Sequence, residues 1–189
     1  GLGDVYKRQA LEFVRSDDPK YKKIPGFSQS LDYIPSGTLI YPIDSVALAQ
    51  GGLLKNMDVP VPAKEMTINL KGKDALGKQE LLVLNMLQTN DWKRPMYYAI
   101  TVNPDQFVKL DPYFQQTGMA YQIVPMQTQN TVKAINSEKM FDNVMNKFKW
   151  GGVDKPGIYL DENVMRMCKS YRMVVSVSYT HLTLPTKLE

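Results

Sequence analysis

The clearest pattern in this chain is a helical one that covers residues 137–150. Apolar side chains recur there at a spacing that places them on one helix face: Met140, Phe141, Val144, Met145 and Phe148. Two glycines follow at residues 151 and 152, where a helix can end in a left-handed turn. The pattern predicts an amphipathic helix from Ser137 to Trp150 that packs this face against another element, with Phe148 as an anchor.

Other segments have the two-residue period of strands. Met66, Ile68 and Leu70 alternate with polar residues, which predicts a half-buried strand. Further elements are predicted as follows: an extended segment at 59–62, strands at 96–102 and 119–126, helices at 45–50 (capped by Asp44) and 78–88, a short helix opened by Asp111 and closed by Gly118, and a last helix capped by Asp161. Because strands and helices mix irregularly and no unit repeats, the expected fold class is α+β: a single mixed domain of short strands and amphipathic helices, helical toward the C-terminus.

Length, charge and cysteine content exclude several classes of protein. The 189 residues suffice for one domain, and no segment reaches the roughly 18–20 apolar residues that a membrane span needs. The net charge of +4 is small and scattered, so no nucleic-acid partner is expected. Cys168 is the only cysteine, which excludes an internal disulfide and a cysteine-based metal site. The chain is thus expected to be a soluble segment, which can still belong to a membrane protein.

The two ends resemble translated adapter sequence rather than protein. Residues 1–9 read GLGDVYKRQ, and residues 175–189 contain SVSYTHLTLPT. We expect both to be adapter-derived scars, which leaves residues 10–174 as the soluble α+β domain fragment. The only histidine, His181, falls in the second scar, so no Ser–His or Cys–His catalytic arrangement is expected. Since no glycine-rich phosphate loop follows a strand, no cofactor is expected. Neither a catalytic residue nor a metal ligand is assigned.

The segment WKRPMYY at residues 92–98 is the densest cluster of aromatic and cationic groups. In one interpretation an aromatic face stacks on a sugar ring while Arg94 binds an oxyanion in a bidentate way. In the other, Trp92 closes the core and the basic side chains face water. If the domain touches a ligand, the candidate residues are Trp92, Arg94 and Tyr98, with Lys149 and Trp150 as a second group.

Five segments, in order along the chain, resemble a known family. They read FVRSDDP (13–19), WKRPMYYA (92–99), GMAYQIVP (118–125), MNKFKWG (145–151) and YLDE (159–162). Across about residues 11–173 the chain is similar to a bacterial multi-spanning membrane-protein family, formerly a domain of unknown function, that is related to protein O-mannosyltransferase-like GT-C glycosyltransferases. The resemblance implies the soluble, periplasmic stretch between a membrane-spanning half and a helical-repeat region. The acidic residue expected to act as base in that family has no counterpart here.

The resemblance implies two roles for such a fragment. It can bind a glycan acceptor or scaffold the enzyme, with a lipid-linked sugar reached through the parent and the membrane reached through upstream spans. Alternatively, it is a purely structural platform between the membrane helices and the repeats. The first role needs the cluster around Trp92 open in a groove, and the second needs it packed. An independent hydrolase would require two carboxylates facing a cleft, such as Asp17 with Asp18 or Asp161 with Glu162.

Overall fold

The computed structural model describes residues 37–50, 64–73, 75–128 and 134–183. The first scar, the first of the five family-like segments and the extended segment predicted at 59–62 lie outside the described residues. The chain divides into two compact units. Within the described residues, the first comprises residues 37–50, 64–73, 75–96, 102–113 and 123–127, and the second comprises 97–101, 114–122, 128 and 134–183. Both units contain short strands and helices, so the predicted α+β class is confirmed.

The first unit contains a two-stranded antiparallel sheet. Strand β1 (Thr38–Pro42) pairs with β2 (Glu65–Asn69), with Thr38 opposite Asn69. Successive side chains of a strand point to opposite faces, and the buried positions are Leu39, Tyr41, Met66 and Ile68. The strand predicted from the alternation at residues 66–70 is therefore confirmed.

Two helices of the first unit follow their predicted boundaries closely. Helix α1 (Ser45–Gln50) begins after Asp44, whose carboxylate accepts a hydrogen bond from the Val46 amide at 2.8 Å. Helix α2 (Lys78–Asn90) extends two residues beyond its predicted end and buries Leu84 and Leu87. Both helices are set by local signals, a capping carboxylate in one and an apolar face in the other.

The second unit contains a sheet of three short strands. Strand β3 (Tyr97–Ala99), strand β4 (Phe114–Gln116) and strand β5 (Ala120–Ile123) lie in the order β3-β5-β4, and β3 is antiparallel to β5. Both outer residues of β3 find partners, Tyr97 opposite Gln122 and Ala99 opposite Ala120. Strands β3 and β5 are shorter than the predicted segments 96–102 and 119–126, because apolar residues continue beyond the point where backbone pairing stops.

The short helix predicted from Asp111 to Gly118 is wrong. Asp111–Tyr113 makes a single 3-10 turn, and the chain then enters β4. Tyr113 anchors this turn, because its hydroxyl accepts a hydrogen bond from the Thr67 amide (3.1 Å) and donates one to the Thr67 carbonyl (2.8 Å). Gly118 has a φ of 128° and lies in the connection between β4 and β5, where its role is to reverse the chain.

The predicted helix 137–150 is interrupted. Helix α3 (Ser137–Asp142) is followed by a π-helical turn (Asn143–Lys147), in which the Phe148 amide donates to the Asn143 carbonyl five residues back. Met140 and Val144, four residues apart, are buried, whereas Phe141 and Met145 on the neighbouring row are 44% and 63% exposed. The prediction that all five apolar residues share the packed face is wrong.

Helix α4 (Glu162–Thr183) completes the second unit. As predicted, Asp161 caps it, accepting a hydrogen bond from the Val164 amide at 2.8 Å. Val174 packs with Met140 and Val144 in the core, and the half-buried Phe148 and Val177 lie against them. The helix runs to Thr183 and so extends into residues 175–189, and Ser178 in that segment is buried. The adapter origin of the tail stays a prediction.

Candidate functional site

A strained turn after α2 positions the predicted ligand-binding cluster. Asp91 and Trp92 both have left-handed backbone conformations, with φ of 46° and 62°, and the Lys93 amide closes the turn on the Asn90 carbonyl at 2.9 Å. Such angles are costly for residues other than glycine. The Asn90 side chain holds the turn by donating to the Arg94 carbonyl (2.6 Å) and accepting from the Arg94 amide (3.2 Å).

The turn directs Trp92 inward. Trp92 is only 4% exposed, and it lines a small cavity together with Leu87, Met96 and Ile123. In this structure the indole has no open face on which a sugar ring could stack. Burial of so large an aromatic group instead makes it a major apolar contact of the first unit.

The same turn directs Lys93 and Arg94 outward. Both are exposed and border a groove of about 460 Å³, which is otherwise lined by Met86, Thr89, Asn90, Pro95 and Met96. Among the described residues, no carboxylate lies within ion-pair distance of either cation. Two cations beside an apolar floor can bind a group that is anionic at one end and apolar at the other.

Tyr98 belongs to the second unit, within an aromatic stack on the sheet. Its ring centroid lies 5.2 Å from that of Phe114, which stacks in turn on Tyr121 at 5.4 Å. Tyr98 is half-buried, whereas Tyr97 is 45% exposed. The two tyrosines point to opposite faces as predicted for a strand, but Tyr97 is the more accessible one.

An anchored lysine beside Tyr97 was not found by sequence reasoning. Lys139 Nζ donates to the Tyr97 hydroxyl and to Gln122 Oε1, each at 2.8 Å. Tyr97 and Gln122 are cross-strand partners on β3 and β5, and Lys139 comes from α3. No local signal connects Lys139 with a tyrosine 42 residues away, so only the packing of the helix on the sheet could show this group.

The second candidate group lies in the second unit, and here an indole is open. Trp150 is 42% exposed and makes edge contacts with Phe148 and Tyr171, with ring centroids 6.4 and 5.2 Å away. It borders a largely apolar groove of about 590 Å³ along α4, to which Leu160, Met165 and Val175 contribute. Lys149 beside it is exposed.

A buried ion pair at the start of α2 was also missed. Glu80 is buried, forms an ion pair with Lys73, and accepts a hydrogen bond from the Gly77 amide at 2.6 Å. Burial raises the pKa of the Glu80 carboxyl, but the hydrogen bonds from Lys73 and Gly77 and the lysine charge lower it more, so the pKa lies below its usual value. Lys73 also donates to the Asp105 carbonyl at 3.0 Å. Glu80 lies three residues after the capping position Gly77, a spacing that could have predicted the hydrogen bond between them but not the ion pair with Lys73.

These groups do not form a recognisable catalytic arrangement. In the described ranges, no set of three or more His, Cys, Asp or Glu side chains is placed to hold a metal ion. No helix within the same ranges is long and apolar enough to cross a membrane. Two accessible grooves stand out among the described residues: a cationic groove in the first unit and an aromatic groove in the second.

Comparison with known proteins identifies the family but not an activity. No curated protein and no solved structure matches the chain. The model of one family, TMEM260-associated domain 2, matches residues 3–143. This match includes Trp92, Arg94 and Tyr98 and excludes Lys149 and Trp150. Since it covers well over half of the 189 residues, the chain belongs to the TMEM260-associated domain 2 family.

Proposed function

We propose that this chain is a non-catalytic, extracytoplasmic domain of a bacterial, membrane-embedded, glycosyltransferase-like protein, and that its role is to scaffold the parent. The five ordered segments that resemble such a family support the parentage. Membership of a family named for its association with TMEM260 is compatible with a role as part of a larger protein.

The observation that carries the scaffolding role is the burial of Trp92. Sugar binding at this cluster requires an indole face that a pyranose can reach, whereas the side chain is 4% exposed. The turn that carries Trp92 is held by both hydrogen bonds between the Asn90 side chain and the Arg94 backbone. A residue held in this way stabilises the turn and the core beneath it, which is what a rigid platform between other elements needs.

Tryptophan fluorescence tests this role, because the chain has only two tryptophans. In Trp150→Phe the emission reports on Trp92, and in Trp92→Phe it reports on Trp150. Scaffolding predicts that Trp92 emits as a buried indole, resists a soluble quencher, and does not respond to short glycans or to a soluble lipid-diphosphate analogue. A saturable response of Trp92 to either ligand would contradict the scaffold assignment.

A second candidate function, acceptor binding, is favoured by Trp150. Its indole is open at the edge of a groove, and the Lys149 cation stands next to it, so stacking and anion binding are both accessible there. The Trp92→Phe protein tests this candidate directly. Two results together would establish binding. A short glycan should quench or shift the Trp150 emission in a saturable way, and the heat of binding should be abolished in a Trp150→Leu variant. No heat and no spectral change would remove this candidate.

The parentage has its own test, which does not depend on ligands. The complete reading frame that contains this chain should encode many apolar spans of roughly 20 residues before it and a helical-repeat region after it. A reading frame without such spans would refute the proposal of a membrane-embedded parent.

A further inference from the structure

The outward face of α2 is unusual for a surface helix. At 100° per residue, five exposed positions fall within one arc of the helix: Lys78, Gln79, Leu82, Met86 and Thr89. Leu82 and Met86, one turn apart, are 57% and 47% exposed. The opposite arc carries the buried Leu84 and Leu87, so the outward apolar residues are additional to those that pack the core.

The charges on this face are all positive. Lys78 stands at its start, and Lys93 and Arg94 follow its end, about 20 Å away for a helix of 13 residues. The helix contains one carboxylate, Glu80, which is turned to the buried side and paired with Lys73. The nearest other acidic group in the sequence is Asp91, half-buried in the turn. An anionic partner therefore meets cations at both ends of the face and apolar side chains between them.

From this arrangement we propose that the outward face of α2, together with Lys93, Arg94 and the adjoining groove, docks on the surface of an anionic lipid bilayer. Helices that lie on membranes combine exposed apolar side chains with flanking cations, which bind lipid phosphates while the apolar groups enter the acyl boundary. The groove adds Pro95 and Met96 beside the two cations, which suits a headgroup phosphate continued by an acyl chain.

A bilayer fits this surface better than an acidic peptide does. A bound peptide brings backbone groups that need hydrogen-bond partners. The uncharged polar side chains of the groove already bond within the domain: the Thr89 hydroxyl donates to the Asn85 carbonyl at 2.9 Å, and the Asn90 amide is occupied by the Arg94 backbone. Charge and apolar contact remain available, and a lipid surface requires only these two.

Vesicle co-sedimentation of the whole chain tests the proposal. We expect binding to vesicles with about 30% phosphatidylserine, little binding to pure phosphatidylcholine, and release when the ionic strength is raised to about 1 M, where the Debye length is about 3 Å. The double variant Lys93→Gln/Arg94→Gln should bind anionic vesicles about 30-fold more weakly, at about 1 kcal/mol for each cation. Leu82→Gln/Met86→Gln should lose at least about tenfold.

The matched control is Met173→Gln/Lys155→Gln, which removes an exposed apolar residue and an exposed cation in the second unit. This variant should bind like the unchanged chain, and circular dichroism should show that all three variants are folded. Equal binding to neutral and anionic vesicles, or equal losses in the control and in the α2 variants, would overturn the proposal. Binding to poly-glutamate without binding to vesicles would also overturn it and would identify an acidic protein segment as the partner. None of these outcomes depends on the glycosyltransferase-like parentage.

Discussion

Replacing Glu80 should destabilise the first unit in a pH-dependent way. Glu80 is 6% exposed, and its carboxylate accepts hydrogen bonds from the Lys73 ammonium and the Gly77 amide. Glu80→Gln retains the shape and one acceptor for Gly77 but leaves the lysine charge uncompensated. Removing one partner of a fully buried pair costs about 3–5 kcal/mol. Because the Lys73 side chain remains 20% exposed and can recover some hydration, we expect about 2 kcal/mol for Glu80→Gln.

The pH dependence follows from the lowered pKa of Glu80. A carboxyl whose pKa is lower in the folded chain than in the unfolded one contributes stability above its unfolded pKa, which is about 4.3 for glutamate. That contribution is lost as the pH falls through the folded pKa, because the carboxylate is then protonated in both states. The difference in stability between the unchanged chain and the Glu80→Gln variant should therefore be full at pH 7 and should shrink below about pH 4.

Urea unfolding followed by circular dichroism, at pH 7 and at a series of lower pH values, measures this difference. A double-mutant cycle with Lys73→Met isolates the pair and should give a coupling of about 1–3 kcal/mol at pH 7. Gln79→Glu, at the exposed neighbouring position, is the control for a change of charge at the helix start. A cost below about 0.5 kcal/mol, or a cost independent of pH, would refute the assignment of Glu80 as a buried, ionised partner of Lys73.

Other substitutions check the remaining features of the fold. Phe148→Ala should cost about 2–3 kcal/mol by urea unfolding, because the ring packs on the core cluster, whereas Phe141→Ala, at a 44% exposed position, should cost less than about 1 kcal/mol. Lys109→Gly should stabilise the chain by about 1 kcal/mol, since Lys109 has a φ of 58°. Gly72→Ala should destabilise the chain by a similar amount, because Gly72 has a φ of 81°, although the space around it is open. Deleting residues 177–189 should lower the melting temperature, because Val177 and Ser178 pack in the second unit. An unchanged melting temperature would show that this end of α4 does not contribute to stability.

Local physics allowed several elements to be predicted from the sequence. The carboxylates of Asp44 and Asp161 cap the helices that follow them, as their positions before apolar segments indicated. The alternation of Met66 and Ile68 predicted the buried side of β2. Each of these features depends on residues within a few positions along the chain, so no knowledge of the tertiary structure was needed.

The candidate binding residues were only partly predictable. Their chemistry was evident in the sequence, and the structure places Arg94 on a groove and Trp150 at the edge of another. Their accessibility was not evident, because it depends on backbone geometry. The left-handed pair Asp91 and Trp92 turns the first indole into the core, and no residue pattern signals a left-handed tryptophan.

Residue patterns were enough to predict the α+β class, the first residues of the helices and the buried alternation of β2. The tertiary structure alone decided where the interrupted helix after Ser137 widens, since the Asn143 side chain there donates to the Thr117 carbonyl, 26 positions away, at 2.6 Å. It likewise decided that residues 114–116 form a strand. Both outcomes depend on contacts between distant segments, whose free energy exceeds the weak local preference for a continuous helix.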